Sequence, residues 1–82
     1  MSNPKLSDIF RITAEEIHMS QKELSEKTGI SVAAISHYFT GSRIPTLRNF
    51  YLICLYLGLD TEYVLRQIIP VTDSELRKVN RT

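Results

Sequence analysis

An all-α fold, a compact bundle of about five helices, is what this chain of 82 residues predicts. Three observations carry the prediction. Apolar residues recur at helical spacing along most of the chain, and no stretch shows the strict alternation of a half-buried strand. Ser20, Ser31, Thr46 and Asp60, all good helix-capping residues, each precede such a segment. Gly29, Gly41, Gly58 and Pro70 stand where the segments should stop.

The elements follow in order. A first helix over residues 5–18 places Leu6, Ile9, Phe10, Thr13 and Ile17 on one face. Ser20 with Glu23 three positions on is a capping box: the Ser20 hydroxyl accepts from the Glu23 amide while the carboxylate reaches back. It starts a second helix over 21–28, anchored by Leu24 and ended at Thr28-Gly29, where glycine permits the positive φ of a left-handed exit. Ile30 plugs the turn. Ser31 caps a third helix over 32–39, with Ile35 and Tyr38 or Phe39 inward; small Ser25 and Ala34 allow the second and third helices close approach. Gly41-Ser42-Arg43-Ile44-Pro45 reads as a loop. Thr46 caps a fourth helix whose inward set is Leu47, Phe50, Ile53, Cys54 and Leu57, closed by Gly58. Asp60 caps a fifth over 61–69, stopped by Pro70. Thr72-x-x-Glu75 is a second capping box, consistent with a short sixth helix to about Val79, and the last residues should fray.

Composition bounds the function. Eighty-two residues suffice for one domain with a modest core, and 43% apolar with 23% charged residues is ordinary for a soluble globular chain. The opening MSNPKLSD lacks the apolar region of a signal peptide, and the apolar run 50–59 is far short of the roughly 20 residues that span a bilayer. A lone Cys54 excludes an internal disulfide framework and suits a reducing, cytoplasmic setting. Net charge is only +1, but its distribution is uneven: no Asp or Glu lies between Glu26 and Asp60, an interval that carries Lys27, Arg43 and Arg48. Carboxylates would repel a phosphate backbone, so such a surface is what DNA contact requires.

Two short helices joined by a tight glycine-containing turn form the helix-turn-helix arrangement, in which the second helix enters the major groove of DNA. The wider pattern resembles the lambda-repressor-like, XRE-type family that includes Cro and the phage repressors. The resemblance spans residues 6–65 and is carried by Ile9 and Phe10, Ile17-His18-Met19-Ser20-Gln21, Leu24, Gly29-Ile30-Ser31, Ile35-Ser36, Gly41, Arg43, Pro45, Leu47 and Leu57-Gly58-Leu59. It implies a transcriptional regulator, most simply a phage- or prophage-type repressor, that reads double-stranded operator DNA as a dimer.

The same resemblance suggests roles. Gln21 is similar to a family glutamine that contacts a phosphate and braces the recognition helix. Val32, Ala33, Ser36 and His37 lie outward near the start of the third helix, where base edges are read. Where many relatives carry Gln this chain has Val32, which cannot bond adenine as an amide does but can pack on a thymine methyl. Readout then rests on Ser36, His37 and the loop hydroxyls, on apolar contact and on DNA shape. Gln21, Lys22, Thr40, Ser42, Arg43 and Arg48 are the candidate phosphate contacts.

Residues 1–70 form the expected DNA-binding domain, and 71–82 a short helix or tail, for oligomerisation or as a linker to a further domain. Leu65, Ile68, Ile69 and Val71 crowd four aliphatics into seven residues and are the expected homodimer surface, unless they fold back to complete the core. Tyr51, Leu52, Leu55 and Tyr56 also lie off the inward face, which keeps open a second class of function: a protein-interaction module such as an antitoxin or antirepressor. His18, His37 and Cys54 lack metal-ligand spacing, no triad or phosphate-cradling loop is discernible, and no cofactor, small-molecule ligand, membrane contact or enzymatic activity is expected.

Overall fold

Each of the four capping residues does what its side chain allows. Ser20, Ser31 and Thr46 accept from the backbone N–H three residues on, at 3.0, 3.1 and 3.2 Å, and Asp60 accepts from Glu62 and Tyr63. In a computed structural model, which describes residues 4–69, these caps open four of five helices: α1 Pro4–Glu16, α2 Gln21–Thr28, α3 Val32–Thr40, α4 Leu47–Leu57 and α5 Thr61–Ile68. There is no strand among the described residues. Val71 and the second capping box at Thr72 and Glu75 lie outside them.

Glycine closes three of the helices. Gly29, Gly41 and Gly58 have φ of 79, 82 and 75°, the left-handed region in which a side chain is strained. α1 ends differently. It stops at Glu16, two residues short of the expected end, because His18 takes the left-handed conformation with φ 58°. The His18 N–H donates to Glu15 O and the Met19 N–H to Ala14 O, the paired bonds of a Schellman ending on a residue that is not glycine. Ile17, just before this turn, still donates its N–H to Thr13 O, but it is left uncovered at 45% exposure rather than inward, and Ala14 is the buried residue at this end of α1.

The helices pack around one core. α1 lies against α3, α4 and α5, α2 against α3 and α4, and α4 against α5. Phe10 is fully buried at its centre, with ring centroids 6.2 Å from both Phe39 and Phe50, so one side chain ties α1 to α3 and α4. Leu24, Ile35, Ile53, Cys54 and Val64 complete the fully buried set. No buried side-chain nitrogen or oxygen among the described residues lacks a hydrogen-bond partner. Tyr38 and Phe39 are both inward. Leu47 is the exception in α4. It continues the stripe of Phe50, Ile53, Cys54 and Leu57, but it is the first residue of the helix, no neighbouring helix covers it, and it is 81% exposed. Among the described residues no helix is long and apolar enough to cross a membrane.

Candidate nucleic-acid interface

The α2–turn–α3 unit is held by hydroxyls as well as by packing. Thr28 donates to Leu24 O at 2.8 Å and accepts from the Ile30 N–H at 3.1 Å, while Ser25 donates to Ile30 O. Ser25 is thus more than a small residue that permits close approach: with Thr28 it ties the backbone of the turn to α2, and Ile30 seals the junction at 6% exposure.

α3 sorts its residues by face. Ile35, Tyr38 and Phe39 are buried, Ala34 and Ser36 half-buried, and Val32, Ala33, His37 and Thr40 exposed. The four expected base readers thus share the side of the helix left free by the core, with Ser36 the deepest. Val32 presents an apolar surface that is 44% exposed at the first turn.

The end of α3 carries a hydrogen-bonded cluster. His37 Nδ1 lies 2.8 Å from Ser42 Oγ, which lies 3.0 Å from Thr40 Oγ1. The His37 carbonyl accepts from the N–H groups of Gly41, Ser42 and Arg43, so the chain wraps tightly round the helix end. Thr40 and Ser42, expected at phosphate, and His37, expected at a base, are joined in one cluster, and the ring of His37 is oriented by Ser42. A second tie reaches farther along the chain: Asn49 Nδ2 donates to Tyr38 Oη at 3.0 Å, linking α3 to α4. Nothing local signals it, because the partners are eleven residues apart and on different helices.

The electrostatics favour an anion. The ion pairs formed among the described residues, Arg11–Asp8 and Arg66–Glu62, lie on α1 and α5. Lys22, Lys27, Arg43 and Arg48 are exposed and form none. Gln21 is half-buried at the first position of α2. No group of three or more His, Cys, Asp or Glu among the described residues could hold a metal ion. Cys54 is buried, and desolvation pushes its thiol up to about 11. The thiolate is thereby disfavoured, as in a packing residue rather than a nucleophile.

Comparison with known proteins points the same way. The family model HTH_3, described as helix-turn-helix, matches residues 10–64. The chain is also similar to two proteins named Replication factor C small subunit: one from Thermococcus kodakarensis, 40% identical over 57 residues that make up 70% of this chain, and one from Methanocaldococcus jannaschii, 35% identical over 60 residues that make up 73%. The chain spans only 7% and 3% of the lengths of those two proteins.

Proposed function

This chain belongs to the HTH_3 helix-turn-helix family, and from that premise we propose that it is a sequence-specific regulator that binds double-stranded operator DNA as a homodimer, in the manner of a phage-type repressor. The observation that carries the reading is the free face of α3: Val32, Ala33 and His37 exposed, Ser36 beside them, in a surface with no carboxylate between Glu26 and Asp60. In this reading Val32 packs on a thymine methyl, and Ser36 and His37 bond base edges in the major groove. Gln21, Lys22, Thr40, Ser42, Arg43 and Arg48 fix the helix on the phosphates. One helix reads only a few base pairs, so two copies related by a two-fold axis supply the specificity, on half-sites about 34 Å apart. The two similar proteins match over a stretch the size of one such domain within far longer chains. Such a match fits a domain carried within larger proteins, and the replication activity in their name is not carried over.

Selection from random duplexes tests the reading. The unmutated chain should enrich a pseudo-palindrome, and Ser36→Ala with His37→Ala should lose that preference while retaining salt-sensitive, unspecific binding. Equal enrichment by the double variant would remove α3 as the reader and favour the protein-interaction module instead.

A further inference from the structure

The hydroxyls at the end of α3 bear on where the His37 ring carries its proton. The His37 carbonyl accepts from three N–H groups, those of Gly41, of Ser42 at 3.0 Å and of Arg43 at 3.3 Å. A carbonyl oxygen has two lone pairs, so this one is crowded. The hydroxyls of Thr40 and Ser42 also approach it, but at 3.3 and 3.4 Å. Each has a better acceptor nearby. Ser42 Oγ is 2.8 Å from His37 Nδ1, and Thr40 Oγ1 is 3.0 Å from Ser42 Oγ. Both protons are best used along one row, Thr40 donating to Ser42 and Ser42 to the ring, where each bond strengthens the next. The opposite direction would end on the crowded carbonyl. His37 is exposed, and its Nε2 takes no part in the row.

We infer that this row makes His37 a donor and selects guanine: Nδ1 accepts from Ser42, the proton of the neutral ring sits on Nε2, and Nε2–H is given to guanine N7 in the major groove. The inference rests on the DNA-binding reading above and adds which base His37 takes. The hydrogen bond made by one ring nitrogen sets the state of the other. A charged ring also carries a proton on Nε2, so the direction of donation is the same in both forms. Guanine sets a second acceptor, O6, beside N7, whereas adenine sets an amine there and cytosine offers a donor alone. A donor facing a donor leaves both unpaired, and that penalty is what discriminates. Ser42, with Thr40 behind it, is then a positioning residue in place of the phosphate contact given to each above.

Two measurements test this, the first without DNA. In the free full chain at about pH 8, nitrogen-15 spectra should show the His37 ring as the Nε2–H tautomer alone. Ser42→Ala should return it to the mixture of an unrestrained imidazole, and Ser42→Thr should keep it fixed. A ring protonated at Nδ1, or a tautomer that Ser42→Ala does not move, would overturn the inference whatever the chain binds. In the second, the selected half-site should hold a guanine whose replacement by 7-deazaguanine, which lacks N7 but pairs normally, weakens binding about tenfold. His37→Ala should bind the two sites equally. Ser42→Ala should bind guanine and adenine sites more nearly alike, and Ser42→Thr should restore the discrimination. Equal affinity of the unmutated chain for guanine and 7-deazaguanine would overturn the guanine assignment alone. So would a His37→Ala chain weakened on all sequences alike, which would put Nε2–H on a phosphate. A fixed tautomer in a chain that enriches no sequence would fail the DNA reading, and the guanine assignment with it.

Discussion

His18 is where this chain departs furthest from local preference. It holds a left-handed conformation, with φ 58°, that glycine provides at three other helix ends. Such a backbone costs a side-chain-bearing residue roughly 1 kcal/mol or more. His18→Gly should therefore raise stability by up to about 1 kcal/mol, part of the relief being offset by the looser unfolded chain. Gly29→Ala should do the reverse, even though an added Cβ there meets nothing within 4 Å, because its cost is conformational rather than steric. Thermal unfolding of both variants measures the contrast; equal effects would mean that φ does not decide these ends. Cys54 adds a pH dependence. Its thiol titrates near 11 when folded and near its ordinary 9.0 when unfolded. The folded state binds the proton more tightly, so this contribution is intact below pH 9 and declines as pH rises from 9 to 11, by roughly 1.4 kcal/mol per unit. Urea unfolding at pH 8 and 10 should show a loss that Cys54→Ala lacks, and thiol reagents at pH 8 should react only through unfolding.

At the scale of the element, α3, the proposed reader, is held on three sides: by the Ser31 cap, by the Ser25 and Thr28 bonds to the turn, and by the Tyr38–Asn49 tie to α4. Its unusual residue is Val32, apolar and 44% exposed in the first turn. If it packs on a thymine methyl, exchanging that thymine for uracil should cost at most roughly 1–2 kcal/mol, the scale of one or two buried CH₂ groups. Val32→Ala should remove most of the difference between the two bases in a binding titration. Equal affinity for thymine and uracil sites would leave readout to Ser36 and His37.

Across the whole molecule, Phe10 governs how α3 is presented, because its ring meets Phe39 of α3 and Phe50 of α4 at the core's centre. Phe10→Ala should cost about 3–5 kcal/mol, much of the total stability of a domain this small. Calorimetry should show a transition lowered by well over 10 °C or lost. A shift of only a few degrees would mean that the core tolerates the cavity.

The five helices of the described residues and nearly all their ends were legible in the sequence, because caps and left-handed glycines act within four residues and carry their own chemistry. Ser20, Ser31, Thr46 and Asp60, with Gly29, Gly41 and Gly58, marked the described boundaries to within about two residues, apart from no cap at the start of α1. The inward residues of α3, Ile35 with Tyr38 and Phe39, were legible from spacing, whereas the outward set of Val32, Ala33, Ser36 and His37 came from the family resemblance, because Val32 and Ala33 are as apolar as the residues they stand apart from. What only the tertiary structure decided lies where distant segments meet or fail to meet. His18 rather than a glycine ends α1, and Ile17, just before it, is left uncovered. Leu47 satisfies the apolar period of α4 and is still exposed, because period fixes the side of a helix and not whether another helix covers that turn. The bond from Asn49 to Tyr38 and the binding of His37 by Ser42 follow from the packing of α3 against α4 and from the wrap of the loop. Spacing along a chain reports direction, whereas burial and hydrogen-bond partners depend on what the other elements bring to the same place.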